Sequence, residues 1–151
     1  MIYNLALLGG LYAVLTYIHT LTDFVFQSHA EAMVKHNHPK IRAKHCLVYT
    51  FGFVPLLCFC HFSFIEWVIA LNILFWSHFY IDTYQLVYLW AKTIRRPPEM
   101  SIGIYRDYND PKAGFVQFIK TPLGKILMIV VDQLCHLAFL FPIAYMILRH
   151  K

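Results

Sequence analysis

Three aspartates lie inside long apolar stretches of this 151-residue chain, and each has a histidine four residues away. The pairs are His19 with Asp23 in "HTLTDFVFQ", His78 with Asp82 in "SHFYID", and Asp132 with His136 in "DQLCH". On a helix that spacing puts both side chains on one face, one turn apart. Imidazole nitrogen and carboxylate oxygen together suit a divalent metal, zinc first, with iron or manganese also accommodated. His45, in "HCLVYT", opens an apolar stretch and joins the set at its mouth. Seven candidate ligands, His19, Asp23, His45, His78, Asp82, Asp132 and His136, exceed one tetrahedral site. Either two metals bind, or the surplus groups orient ligands and move protons. The favoured arrangement is a metal held mainly by His19, His78 and His136 with one or more of Asp23, Asp82 and Asp132. A remaining aspartate of these three then acts as catalytic base toward an activated water.

The elements that must position these pairs follow from composition. Apolar residues make up 59% of the chain and charged residues 14%, which marks an integral membrane protein rather than a soluble globule. Hydrocarbon about 30 Å thick takes roughly 20 apolar residues per helical crossing. Four stretches qualify, about 2–27, 46–64, 65–91 and 123–148, so the expected fold is all-α: a single transmembrane four-helix bundle over 1–151. A soluble bundle would need polar helix faces, and "LNILFWSHFYIDTYQLVYLW" offers almost none. The first stretch lacks the basic start and small-residue cleavage site of a removable signal, so it is expected to stay as a span.

Two basic loops, 28–45 and 92–122, separate the spans, and the positive-inside rule puts both in the cytoplasm and both termini outside. The loop chemistry includes "RRPPEM", Arg106 and an Asn109-Asp110-Pro111 turn. "GFVQFIKT", from Gly114 to Thr121, reads as a short interfacial helix before the last crossing. With this topology all three pairs hold the aspartate nearer the cytoplasm and the histidine about 6 Å deeper, making two layers in one half of the bundle. Gln27 and Gln85 extend the polar faces.

A charged group in hydrocarbon costs several kcal/mol unless paired, hydrated or metal-bound, so an intramembrane ionisable residue is read as functional. Helix-to-helix hydrogen bonding would explain any single pair; the repetition argues for a common centre. Other residues have plainer roles. Cys46, Cys58, Cys60 and Cys135 show no paired spacing and read as small buried hydrophobes. His29, His36 and His38 read as solvated loop, His61 as interfacial, and Trp67, Trp76 and Trp90 as packing or belt residues. The net charge of +5 flanks spans and does not describe a nucleic-acid groove. No phosphate loop or nucleophile elbow is present.

Taken together and in this order, "HTLTDFVFQ", "HCLVYT", "HFYID" and "DQLCHL" resemble an uncharacterised family of small bacterial and phage integral membrane proteins, domain of unknown function 3307. The resemblance covers nearly the whole chain. It implies a compact helical domain of the bacterial inner membrane and the same polar residues, and it supplies no reaction. Where the family pattern carries a lysine after the third motif, this chain has Gln85. In arrangement only, the spans are similar to membrane-bound metal-dependent hydrolases.

The function expected is therefore a membrane-embedded metal-dependent hydrolase of an amphipathic or lipid-linked substrate. Membrane lipid surrounds it, and Lys35, Lys44, Arg95 and Arg96 attract an anionic head. Proton or divalent-cation transport through the same layers, and a metal-stabilised scaffold, are the alternatives. A chain this small is also a candidate for self-association into a homo-oligomer.

Overall fold

The computed structural model describes residues 2–101 and 112–149, all of whose regular structure is helical. Arg106 and the Asn109-Asp110-Pro111 turn fall outside the described residues, as do His150 and Lys151. Helix α1 (Ile2–Thr20) runs on into a π-helical turn at Leu21–Val25. Helices α2 (His29–Val34) and α3 (Pro39–Cys58) follow, then α4 (Phe64–Ile81) and α5 (Gln85–Trp90), the last continuing into a second π turn, Ala91–Arg95. After α6 (Pro98–Ser101) come α7 (Ala113–Lys120) and α8 (Pro122–Leu148).

Three helical stretches are long and apolar enough to cross a membrane: Leu5–Val25, Phe64–Ile81 and Pro122–Leu148. The segment expected as a second span starts earlier, at Pro39, and carries Lys40, Arg42 and Lys44 in its first two turns. At 20 residues it is long enough to cross but more polar at that end. Buried polar side chains and exposed apolar ones accompany an apolar core. His19, Asp23, His45, His78 and Asp82 are buried while Tyr17, Phe51, Ile65, Trp76 and Val130 are exposed, as suits a hydrocarbon surround.

Two element boundaries correct the sequence reading. The expected third span, 65–91, stops at Ile81, because Asp82 caps α4 and Tyr84 takes a left-handed conformation (φ 57°) before α5 begins. A non-glycine residue there breaks helical propagation. The stretch expected as loop 28–45 is mostly helical. Ser28 and Glu31 form a reciprocal capping box that starts α2, and Pro39, with no N–H to lose, starts α3.

The chain divides into two compact units, one of residues up to Thr83 plus those from His136 onward, the other Tyr84–Cys135. In the first, Leu15, Tyr49, Phe53, Leu57, Leu74, Leu140, Ile143 and Ile147 form one core drawn from α1, α3, α4 and the end of α8. Tyr12 Oη donates to the Leu137 carbonyl at 2.6 Å, tying α1 to α8. Gly52 lets α3 approach α1, since a Cβ there would overlap the Thr22 methyl. In the second, Val87, Tyr88, Ala91, Phe115 and Phe118 pack together. Helix α7 occupies the stretch expected as an interfacial helix, and Gly124 allows its end to sit on the start of α8.

Candidate metal centre

Within the first unit, α1, the α2–α3 corner, α3, α4 and the end of α8 each deliver polar side chains to one buried locus. The π turn after Thr20 carries Asp23, with His19 just before it. π turns within helices often mark functional sites, where the widened turn re-aims a side chain. Helix α3 brings His45, while α4 brings His78 and, at its C-cap, Asp82. The rings of His19, His78 and His136 meet: His19 stacks on His136 at 5.2 Å between centroids, and His78 lies 4.3 Å from His136 and 6.4 Å from His19.

The closest packing of donors centres on His45 and His78. His45 Nε2 is 2.9 Å from His78 Nε2 and 3.1 Å from Asp23 Oδ1. It is also 3.6 Å from Asp82 Oδ2 and 3.2 Å from Lys35 Nζ. A ring nitrogen has one in-plane proton or one lone pair, so these contacts cannot all be hydrogen bonds. His78 Nε2 completes the pattern, 3.6 Å from Asp23 Oδ1 and 3.5 Å from Asp82 Oδ2. His78 Nδ1 has no hydrogen-bond partner among the described residues, so its tautomer is not fixed from that side.

Four atoms, Asp23 Oδ1, His45 Nε2, His78 Nε2 and Asp82 Oδ2, thus show five mutual separations between 2.9 and 3.6 Å. A tetrahedral metal with bonds of about 2.0–2.1 Å holds its ligand atoms about 3.3–3.4 Å apart. The spacing of Asp23 Oδ1, His45 Nε2 and His78 Nε2 therefore suits three ligands of one small dication, with Asp82 Oδ2 3.5–3.6 Å from both rings. Asp23, His45 and His78 form one buried set able to hold a metal, and Cys46, His78 and Asp82 form a second. His19 and His136 flank these sets rather than belonging to them. Asp132 lies one turn before His136 on α8, buried, with its carboxylate accepting from Gln133 Nε2 at 3.3 Å.

The largest departure from the sequence reading is Lys35. Expected in a cytoplasmic basic loop, attracting an anionic head, it is buried, with Nζ 3.3 Å from Asp23 Oδ1 and 3.0 Å from Asp82 Oδ1. Its three ammonium protons face two carboxylates and His45, a full complement of acceptors. Arg42, also expected in that loop, donates from Nη1 to the carbonyls of Lys35 (3.2 Å) and His36 (2.9 Å), fixing the corner that aims the lysine inward. Lys44 points away, pairing with Glu31 at 2.6 Å. Two further residues were invisible as site members. Cys46 sits in the second donor set, and the Tyr49 ring stacks on His78 at 3.8 Å.

Residues 11–151 match the model of a family described as a protein of unknown function, DUF3307. The chain belongs to that family. Every residue of the centre falls inside the matched region, so the DUF3307 domain contains the whole donor arrangement. No curated protein and no solved structure matches the chain.

Proposed function

We propose that this DUF3307 protein is a membrane-embedded, metal-dependent hydrolase of an amphipathic, lipid-linked substrate. The observation that carries the reading is the spacing of Asp23 Oδ1, His45 Nε2 and His78 Nε2, 2.9 to 3.6 Å apart, which suits three ligands on one face of a tetrahedron around a dication. Zinc suits a nitrogen and oxygen set of this size best. Charge favours it too. With neutral imidazoles, Asp23, Asp82 and Lys35 sum to one net negative charge, and a dication turns that into one net positive charge. Such a centre attracts an anion and favours hydroxide over water.

A metal here would polarise the scissile group and make water acidic. Asp23, His45 and His78 are the assigned ligands. Asp82, bordering the fourth position, takes the proton from the attacking water, and Lys35, hydrogen-bonded to Asp23 and ion-paired with Asp82, holds both carboxylates in place. His19 and His136, stacked on each other beside His78, restrict its ring and relay protons outward. Asp132 is assigned an accessory role through its own helix. Helix α3 is taken as a fourth crossing of the bacterial inner membrane, with its basic first turns and α2 at the cytoplasmic face.

Zinc-loaded protein in detergent should release phosphate from a lipid-linked phosphate substrate, and Asp82→Asn should abolish release while retaining most of the metal. Equal turnover by the wild type and Asp82→Asn would remove Asp82 from the chemistry. Cation transport is the second reading, favoured by Lys35, an internal cation already seated on the carboxylates a passing ion would use. Proton or zinc flux into liposomes that is lost in Asp82→Asn, without phosphate release, would decide for it.

A further inference from the structure

Arg42 is only 8% exposed, yet its guanidinium meets no carboxylate among the described residues. Nη1 is occupied by two carbonyls, the guanidinium lies over the Phe79 ring at 4.4 Å from its centroid, and Nε has no hydrogen-bond partner. A buried cation without a counter-ion is costly, and a guanidinium offers its donors in a planar fork suited to two oxygens of one anion.

The surroundings indicate what that anion is attached to. Phe79 stacks on Phe75, 6.0 Å between centroids and 18° apart in plane. Phe75 in turn lines a groove of about 320 Å³ between α3 and α4, with Leu47, Thr50, Phe51, Leu71 and Asn72. The two polar side chains of the lining are turned onto their own helices: Thr50 Oγ1 donates to the Cys46 carbonyl at 2.7 Å and Asn72 Nδ2 to the Val68 carbonyl at 2.8 Å. The groove therefore offers a mainly hydrocarbon wall. Its volume is at the low end for small-molecule sites, enough for a section of chain. Arg42 and Phe79 cap the same helix pair one turn beyond Phe75, since α3 and α4 run antiparallel through the short 59–63 turn.

We propose that Arg42 and the α3–α4 groove form a binding site for a phosphate-bearing lipid from the surrounding bilayer. The phosphate sits on the free edge of the guanidinium and one acyl chain lies against Phe75, Leu71 and Phe51. That the bound lipid is also the substrate rests on the hydrolase reading above. Arg42 is one α3 turn from His45 and bonds the carbonyl of Lys35, whose ammonium lies on the donor set, which is what would bring a phosphate seated on it toward that set. The head-group role expected of Lys35 and Lys44 passes to Arg42, because one faces inward and the other is paired with Glu31.

Native mass spectrometry of the full chain in detergent tests this, with dioleoyl phosphatidylglycerol, dioleoylglycerol and inorganic phosphate as separate probes. The wild type should retain one phosphatidylglycerol, about tenfold more than dioleoylglycerol. Arg42→Gln should bring retention down to the diglyceride level, and Arg42→Lys should restore part of it. Leu71→Trp, which fills the groove with Arg42 intact, should also lose the lipid and decides the matter if Arg42→Gln does not fold. Undiminished retention in Leu71→Trp, or in folded Arg42→Gln, would overturn the proposal. So would inorganic phosphate displacing the lipid at equal concentration, which would indicate a free-anion site. Zinc content measured on the same samples separates the two claims. Arg42-dependent lipid retention without zinc would sink the metal reading alone, and zinc binding without lipid selectivity would sink this one alone.

Discussion

The Nε2 atoms of His45 and His78 stand 2.9 Å apart, with Asp23 Oδ1 within 3.6 Å of both. One proton can serve only one of these contacts, whereas one metal ion serves all three. His45→Ala or His78→Ala should therefore lower bound zinc to a small fraction of the wild-type content and abolish the rise in melting temperature on adding zinc. His19→Ala and His136→Ala, which remove only the flanking rings, should weaken affinity about 10–100-fold without eliminating it. Zinc titration with a competing chelator checks both.

Lys35 pairs with both Asp23 and Asp82 from inside the unit, offsetting one of their two charges. Lys35→Met leaves two buried carboxylates without that cation, a loss on the order of 3–5 kcal/mol when a buried pair is broken. The zinc-free variant should melt well below the zinc-free wild type, and zinc should restore more stability to the variant than it adds to the wild type. Thermal unfolding with and without zinc measures this. Equal melting of the two zinc-free proteins would show the lysine to be dispensable.

Gly52 and Thr22 set the distance between α3 and the π turn that carries Asp23. Gly52→Ala should destabilise by about 1–3 kcal/mol through overpacking. Thr22→Ser deletes the methyl that the new Cβ would strike, so the double variant should regain part of the loss. A double-mutant cycle on melting temperature reads the coupling.

The corner that aims Lys35 should respond to pH. Burial, with help from the Arg42 charge, holds His36 below its ordinary value of 6.5. The opened corner then binds a proton more readily than the closed one, so closure is favoured above that value and weakens as pH falls below it. Glu31 is held low by its bond from Lys44 and then by Ser28, and its contribution is lost at lower pH still, as the carboxylate protonates. Amide exchange across residues 28–45 should therefore accelerate, after correction for intrinsic rates, in two steps on acidification. The first step should vanish in His36→Gln.

Much of the centre was legible because spacing alone exposes it. Three His and Asp pairs four residues apart inside apolar stretches put forward His19, Asp23, His78, Asp82, Asp132 and His136; the rings of all three histidines meet, while only Asp23, His78 and Asp82 of the six fall in the donor sets. Lys35 was not, because the basic residues of 28–45 were read as orientation charges. The signal existed: Ser28-x-x-Glu31 is a capping box and Pro39 a helix start, which leave a tight corner at 35–38 rather than a loose loop. The end of α4 carried no such signal, since the left-handed residue is Tyr84 and not the glycine or asparagine that usually marks one. The π turn at Leu21–Val25 has no compositional signature either.

Zinc stoichiometry combined with X-ray absorption on protein purified without a nickel tag tests the metal centre most directly. One zinc per chain is expected, with a first shell of nitrogen and oxygen only, at about 2.0–2.1 Å. A sulfur scatterer near 2.3 Å would move the ion to the Cys46, His78 and Asp82 set instead. Metal-free protein that takes up no zinc on addition would contradict the account outright.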